Sequence, residues 1–155
     1  MSAAAEARYR VQAPNSTPRA TKIVALDAAS EAVVRRLARG TWKDATFFTA
    51  AWHGEAGDGA LRDLDGHGRS VTAEVDAADL VILIAGPGGH ARAAALIGQA
   101  SSLRRVMTTG FVIGITSATE SELSKTLAQL RPWSLMVVIA SSDAYIDDMM
   151  TALRA

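Results

Sequence analysis

The sequence predicts an α/β fold, a three-layer sandwich on a mostly parallel sheet of about five strands. Three observations carry this. Short apolar runs recur along the chain, at Ile23–Leu26, Ala45–Ala51, Leu80–Ala85, Phe111–Ile115 and Leu135–Ala140. Stretches with apolar residues at helical spacing separate them. The run Leu80–Ala85 is apolar at every position, as a strand covered on both faces must be.

The elements follow in order. Residues 1–20 lack sustained periodicity and contain Pro14 and Pro18, so they read as a flexible N-terminal arm. The arm has no apolar core of a secretory signal. Residues 21–155 read as a single Rossmann-like domain. After the first strand, Ser30 is expected to cap a helix that turns Val33, Val34 and Leu37 inward and ends at Gly40. The polar stretch from His53 to Ser70 holds Gly54, Gly57, Gly59, Gly66 and Gly68 and reads as one long loop. Val71–Val75 fits an edge strand or a short helix.

The strand Leu80–Ala85 runs into Gly86-Pro87-Gly88-Gly89, and the next helix is expected to bury Ala93, Leu96, Ile97, Ala100 and Leu103. Thr119 and Glu122 have capping-box spacing. They open a helix carrying Leu123, Leu127 and Leu130 that must stop before Pro132. Ser142 is placed to cap a last helix with Ile146, Met149, Met150 and Leu153 inward.

Composition narrows the function. Sixteen basic residues balance sixteen acidic ones, which opposes a general nucleic-acid binder. With no cysteine, disulfides, thiolate zinc sites and a thiol nucleophile are excluded. No apolar run approaches the ~20 residues of a membrane helix. A cytoplasmic protein without a membrane or nucleic-acid partner is the expectation.

An open parallel sheet binds ligands beyond the carboxyl ends of its strands, where strand order reverses. The glycine-rich turn after Ala85 is the prime candidate. Gly86, Gly88 and Gly89 permit close backbone approach, and the N–H groups of Gly88, Gly89 and His90 could hold an anion at the helix start. Arg92 lies in that first turn, where a cation opposes the helix dipole unless an anion is bound. Asp27, Ser30 and Thr116 are expected to line the same crevice. Asp27 also suits a helix cap, and the glycines a plain strand-to-helix turn. Neither GxGxxG nor GxxxxGK[ST] occurs.

Other patterns are weaker. Asp63, Asp65, Gly68 and Glu74 fall at calcium-loop positions, but His67 takes the place of an oxygen ligand, so a glycine-rich surface loop is the reading there. His53 and His67 could meet Asp63 or Asp65 around a metal, although no spacing enforces it, and no metal is assigned. No serine is tied to a histidine in a catalytic arrangement. Trp52, at a strand end, could stack on a flat ligand.

The stretch Asp79–Ala95, DLVILIAGPGGHARAAA, resembles the phosphate-loop region of the tubulin/FtsZ family, in which an apolar strand leads into Ala-Gly-x-Gly-Gly. Ala85, Gly86, Gly88 and Gly89 match. Thr21–Gly40 follows that family's first strand and helix in outline. The resemblance implies a nucleotide-binding domain with a degraded glycine-rich phosphate loop. GTP hydrolysis is not implied, because the family's acidic hydrolysis loop has no counterpart here.

The reading is therefore a soluble protein that binds a small anionic ligand, a nucleotide among the candidates for its unknown cofactor, with no catalytic residue assigned. Two alternatives stay open. One is a small transferase or nucleotide-dependent oxidoreductase using His90 as acid or base. The other is a non-catalytic interaction subunit with a decayed ligand site, as a homodimer or with a protein partner, in which Tyr145 and Met149 face the partner.

Overall fold

The structure is a computed structural model that describes residues 19–50, 61–88, 91–114, 116 and 118–155. The expected arm up to residue 18 lies outside the described residues. The elements run β1 (Thr21–Ala25), α1 (Ala28–Ala38), β2 (Ala45–Ala50), β3 (Leu61–Asp63), β4 (Gly68–Arg69) and α2 (Val71–Asp76). They continue with β5 (Leu80–Ala85), α3 (Ala93–Leu103), β6 (Met107–Val112), α4 (Glu120–Leu130), a 3-10 turn (Arg131–Trp133), β7 (Met136–Ile139) and α5 (Asp143–Ala152).

The seven strands form one sheet in the order β4-β3-β2-β1-β5-β6-β7. The neighbours from β2 to β7 pair in parallel, while β3 and β4 join antiparallel at one edge. The mostly parallel α/β sheet is as expected, with two strands more than expected. The extra pair lies in the stretch read as a loop. Strands of three and two residues are too short to display alternation, and Leu61 is the buried apolar anchor of the hairpin.

Alternation in β5 explains its unbroken apolar sequence. Leu80, Ile82 and Ile84 face one core with Val34 and Leu37 of α1 and Ile146 and Met150 of α5. Val81, Leu83 and Ala85 face the other, with Val71 and Val75 of α2, Ala94 and Ile97 of α3 and Leu130 of α4. Each large side chain so buried stabilises the fold by about 1.5–3 kcal/mol.

Several expectations shift. α1 starts before Ser30, because the Asp27 side chain accepts the Ser30 N–H and Ser30 reciprocates. Val71–Val75 takes the helical alternative, capped by Ser70. Leu103 is not inward but 82% exposed. The buried face of α3 is Ala93, Ala94, Ile97, Gly98 and Ser101. It is rotated toward Gly98 because Trp133 packs there so closely that a Cβ would fall 2.4 Å from the Trp133 Cβ. β6 begins at Met107 rather than Phe111, since Thr108 and Thr109 are buried in the sheet despite their polarity. The Thr119–Glu122 capping box forms as expected, and α4 ends at Leu130. Ser142 holds the N-cap position of α5 without a side-chain cap bond. No helix among the described residues is long and apolar enough to cross a membrane.

Candidate functional site

From β1 the chain moves outward to β2, β3 and β4, then returns to β5 on the other side of β1. Strand order therefore reverses between β1 and β5, and the adjoining strands splay their carboxyl-end loops around a crevice. A cleft of about 290 Å³ opens there, lined by Ala29, Gly86, Pro87, Ile113, Gly114, Ala118 and Glu122. It is at the small end of ligand pockets. Its lining comes from the loops after β5 and β6 and from the starts of α1 and α4.

Asp27 joins two of these loops. One carboxylate oxygen accepts the Ser30 N–H at 2.9 Å and the other accepts the Gly86 N–H at 2.8 Å. The first bond satisfies an orphan donor of α1, and the second fixes the end of β5 against that helix. Gly86 is required by this approach. A Cβ on it would lie 2.8 Å from the Ala29 Cβ. Ser30 is fully buried and its hydroxyl bonds back to Asp27. Asp27 and Ser30 thus form a clasp under the cleft, and Ala29 is the α1 residue in its wall.

The glycine turn is braced from α4. The Gly88 N–H donates to the Thr126 hydroxyl at 3.0 Å, and that hydroxyl donates to the Gly86 carbonyl at 3.4 Å. The Ala91 N–H donates to the Gln129 side-chain oxygen at 3.1 Å. Thr126 and Gln129 went unnoticed in the sequence. Their one signal was a pair of polar residues three apart among the leucines of an amphipathic helix, which indicates facing direction but not a partner. Gly88 adopts φ +75°, and Glu122 packs against its open side. Glu122 in turn accepts the Thr119 N–H at 3.1 Å.

Arg92 is exposed at the N-cap position of α3, where no side chain caps the helix. It has no ion pair among the described residues, and of the neighbouring N–H groups that of Ala94 bonds the Ala91 carbonyl at 3.0 Å. Thr116 is exposed beyond the end of β6 and is not in the cleft wall. Gly89, His90, Trp52 and His53 lie outside the described residues. The structure thus brings together Asp27, Ser30, Gly86 and Gly88, with Arg92 at the head of the adjoining helix.

The Asp63 region is a hairpin turn. One Asp63 oxygen accepts the N–H groups of Asp65 and His67 at 3.0 and 2.9 Å, and the other faces Arg69 at 3.3 Å. The His67 N–H bond, then the Arg69 and Asp65 bonds, hold the Asp63 carboxyl below its ordinary range against a smaller opposing effect of desolvation. Gly66 supplies the left-handed residue of the turn at φ +90°. Asp63, Asp65 and His67 bring their ligand atoms within 4.8 Å of one another. Glu74, the twelfth position of the calcium-loop spacing, sits on α2 and pairs instead with Lys22 at 3.1 Å. The hairpin bonds account for the Asp63 carboxylate without an ion.

Fold and cleft define a mostly parallel α/β protein with a crevice at its switch point. No family model matches the chain, and no curated protein matches it in sequence.

Proposed function

We propose that this protein binds a small phosphorylated molecule of the nucleotide class in the switch-point cleft. The observation that carries the reading is the cleft itself, with the braced glycine turn on its rim, Glu122 in its wall and Arg92 at the head of the helix that follows the turn. Arg92 and the uncapped first turn of α3 suit an anionic group. Glu122, the charged residue in the cleft wall, suits a hydroxyl or amino donor such as a ribose edge. The resemblance of the glycine turn to a tubulin/FtsZ phosphate loop supports the same class.

The geometry refines the role of the turn. The N–H groups of Gly86, Gly88 and Ala91 are held by Asp27, Thr126 and Gln129, so these three donors are already occupied. In this reading Arg92 and the first turn of α3 hold the anion, and the Gly88 N–H does not. No catalytic step is assigned.

A thermal-shift panel of nucleotides, dinucleotides, flavins and inorganic phosphate tests this. A ligand at about 100 times its Kd adds roughly 2.7 kcal/mol. For a chain of this size that is a rise of about 5–10 °C. The shift should shrink in Arg92→Ala and in Ala118→Leu, which fills the cleft. A panel without any shift, or a shift indifferent to both variants, refutes the reading.

A further inference from the structure

The two edges of the sheet are built differently. The β4 edge is only Gly68–Arg69, in a hairpin that carries Arg62, Asp63 and Arg69. Short, charged edges of this kind resist pairing with other chains. The β7 edge has none of that protection. Its strand reads Met-Val-Val-Ile, inside a run from Ser134 to Ser142 with no charged residue and no proline.

β7 pairs with β6 on one side and with no other strand among the described residues. Apolar side chains cluster along it. Leu135 is 77% exposed, Met136 39% and Ile139 41%, and Met107 at the start of the neighbouring β6 is 41% exposed. Val137 and Val138 reach the two cores only in part. Both faces of the strand are therefore unfinished, in addition to its backbone edge.

We propose that β7 pairs antiparallel with β7 of a second copy of this chain, joining two seven-strand sheets into one. Charge selects this occupant and this direction. On the β6–β7 side, the amino end of the sheet carries exposed Arg105 and Arg131. The carboxyl end carries exposed Glu120 at the start of α4. A two-fold axis normal to the sheet sets the basic end of one copy beside the acidic end of the other, twice over. Parallel pairing would set like ends together. Such an isologous contact closes at two copies, leaving as free edges the short, charged β4 strands.

Light scattering on the eluted full chain tests this across a concentration series. The expected mass at about 100 μM is twice the 16.3 kDa of one chain. Leu135→Lys with Ile139→Lys should return it to one chain without changing the circular dichroism. Arg69→Ala, on the opposite edge, should leave the dimer intact. Arg105→Glu with Arg131→Glu should weaken the dimer about tenfold or more. Amide exchange gives an independent measure on the unaltered chain, since the alternate β7 amides that point away from β6 should slow as concentration rises. A monomer throughout, a dimer indifferent to lysine at 135 and 139, or a species that grows without limit overturns the proposal.

Discussion

Replacing Asp27 by Ala removes two hydrogen bonds, one that caps α1 and one that ties the end of β5 to that cap. The bond from the Ser30 N–H caps α1, and losing a cap of this type costs about 0.5–2 kcal/mol. The bond from the Gly86 N–H is charge-assisted and contributes about 1.5–3 kcal/mol. Asp27 is half-buried, so water recovers part of the second loss. Asp27→Ala should therefore destabilise by about 2–4 kcal/mol. Asp27→Asn keeps one accepting oxygen and should cost about half as much. Urea unfolding of the three proteins at equal m-value measures this. Native-state amide exchange then separates the two bonds, because Gly86 should lose protection in Asp27→Ala well before the centre of β5 does. A cost below about 0.5 kcal/mol with Gly86 still protected would refute the clasp.

Two further outcomes follow from the packing and from the hairpin. Gly98→Ala forces a methyl into Trp133 and should cost at least about 1–3 kcal/mol, and Trp133→Leu in the same chain should recover much of it in thermal melts. The folded Asp63 carboxyl takes up its proton less readily than the unfolded one, so its contribution is full above the unfolded pKa and fades as pH falls through the folded value. The His67 and Asp65 amides should thus exchange faster on acidification below the ordinary carboxylate range, beyond the intrinsic pH dependence of exchange. Asp63→Asn should remove that extra response.

The arrangement of elements was legible wherever burial was two-sided and long. Leu80–Ala85 reads as a central strand and Thr119 with Glu122 as a helix start, and both are so in the structure. Where burial is short or polar, the pattern misleads. Thr108 and Thr109 precede the apolar run that marks β6 in the sequence but belong to the strand and are buried in it. Leu103 fits the helical spacing of α3 yet points to water, because contact between Gly98 and Trp133 sets that helix's rotation. The brace from Thr126 and Gln129 spans 38 residues of sequence, so no local pattern could reveal it.

By itself the sequence determined the α/β class, the alternation of parallel strands with helices, the Thr119–Glu122 helix start and the position of the glycine turn after β5. These depend on local spacing, capping chemistry and the apolar content of single segments. Tertiary structure alone decided the strand order, the bond from the Gly86 N–H to Asp27, the stapling of the turn to α4 and the pairing that leaves β7 at an edge. Each of those is a contact between segments far apart in the chain, and such contacts are chosen by whole-molecule packing rather than by local preference.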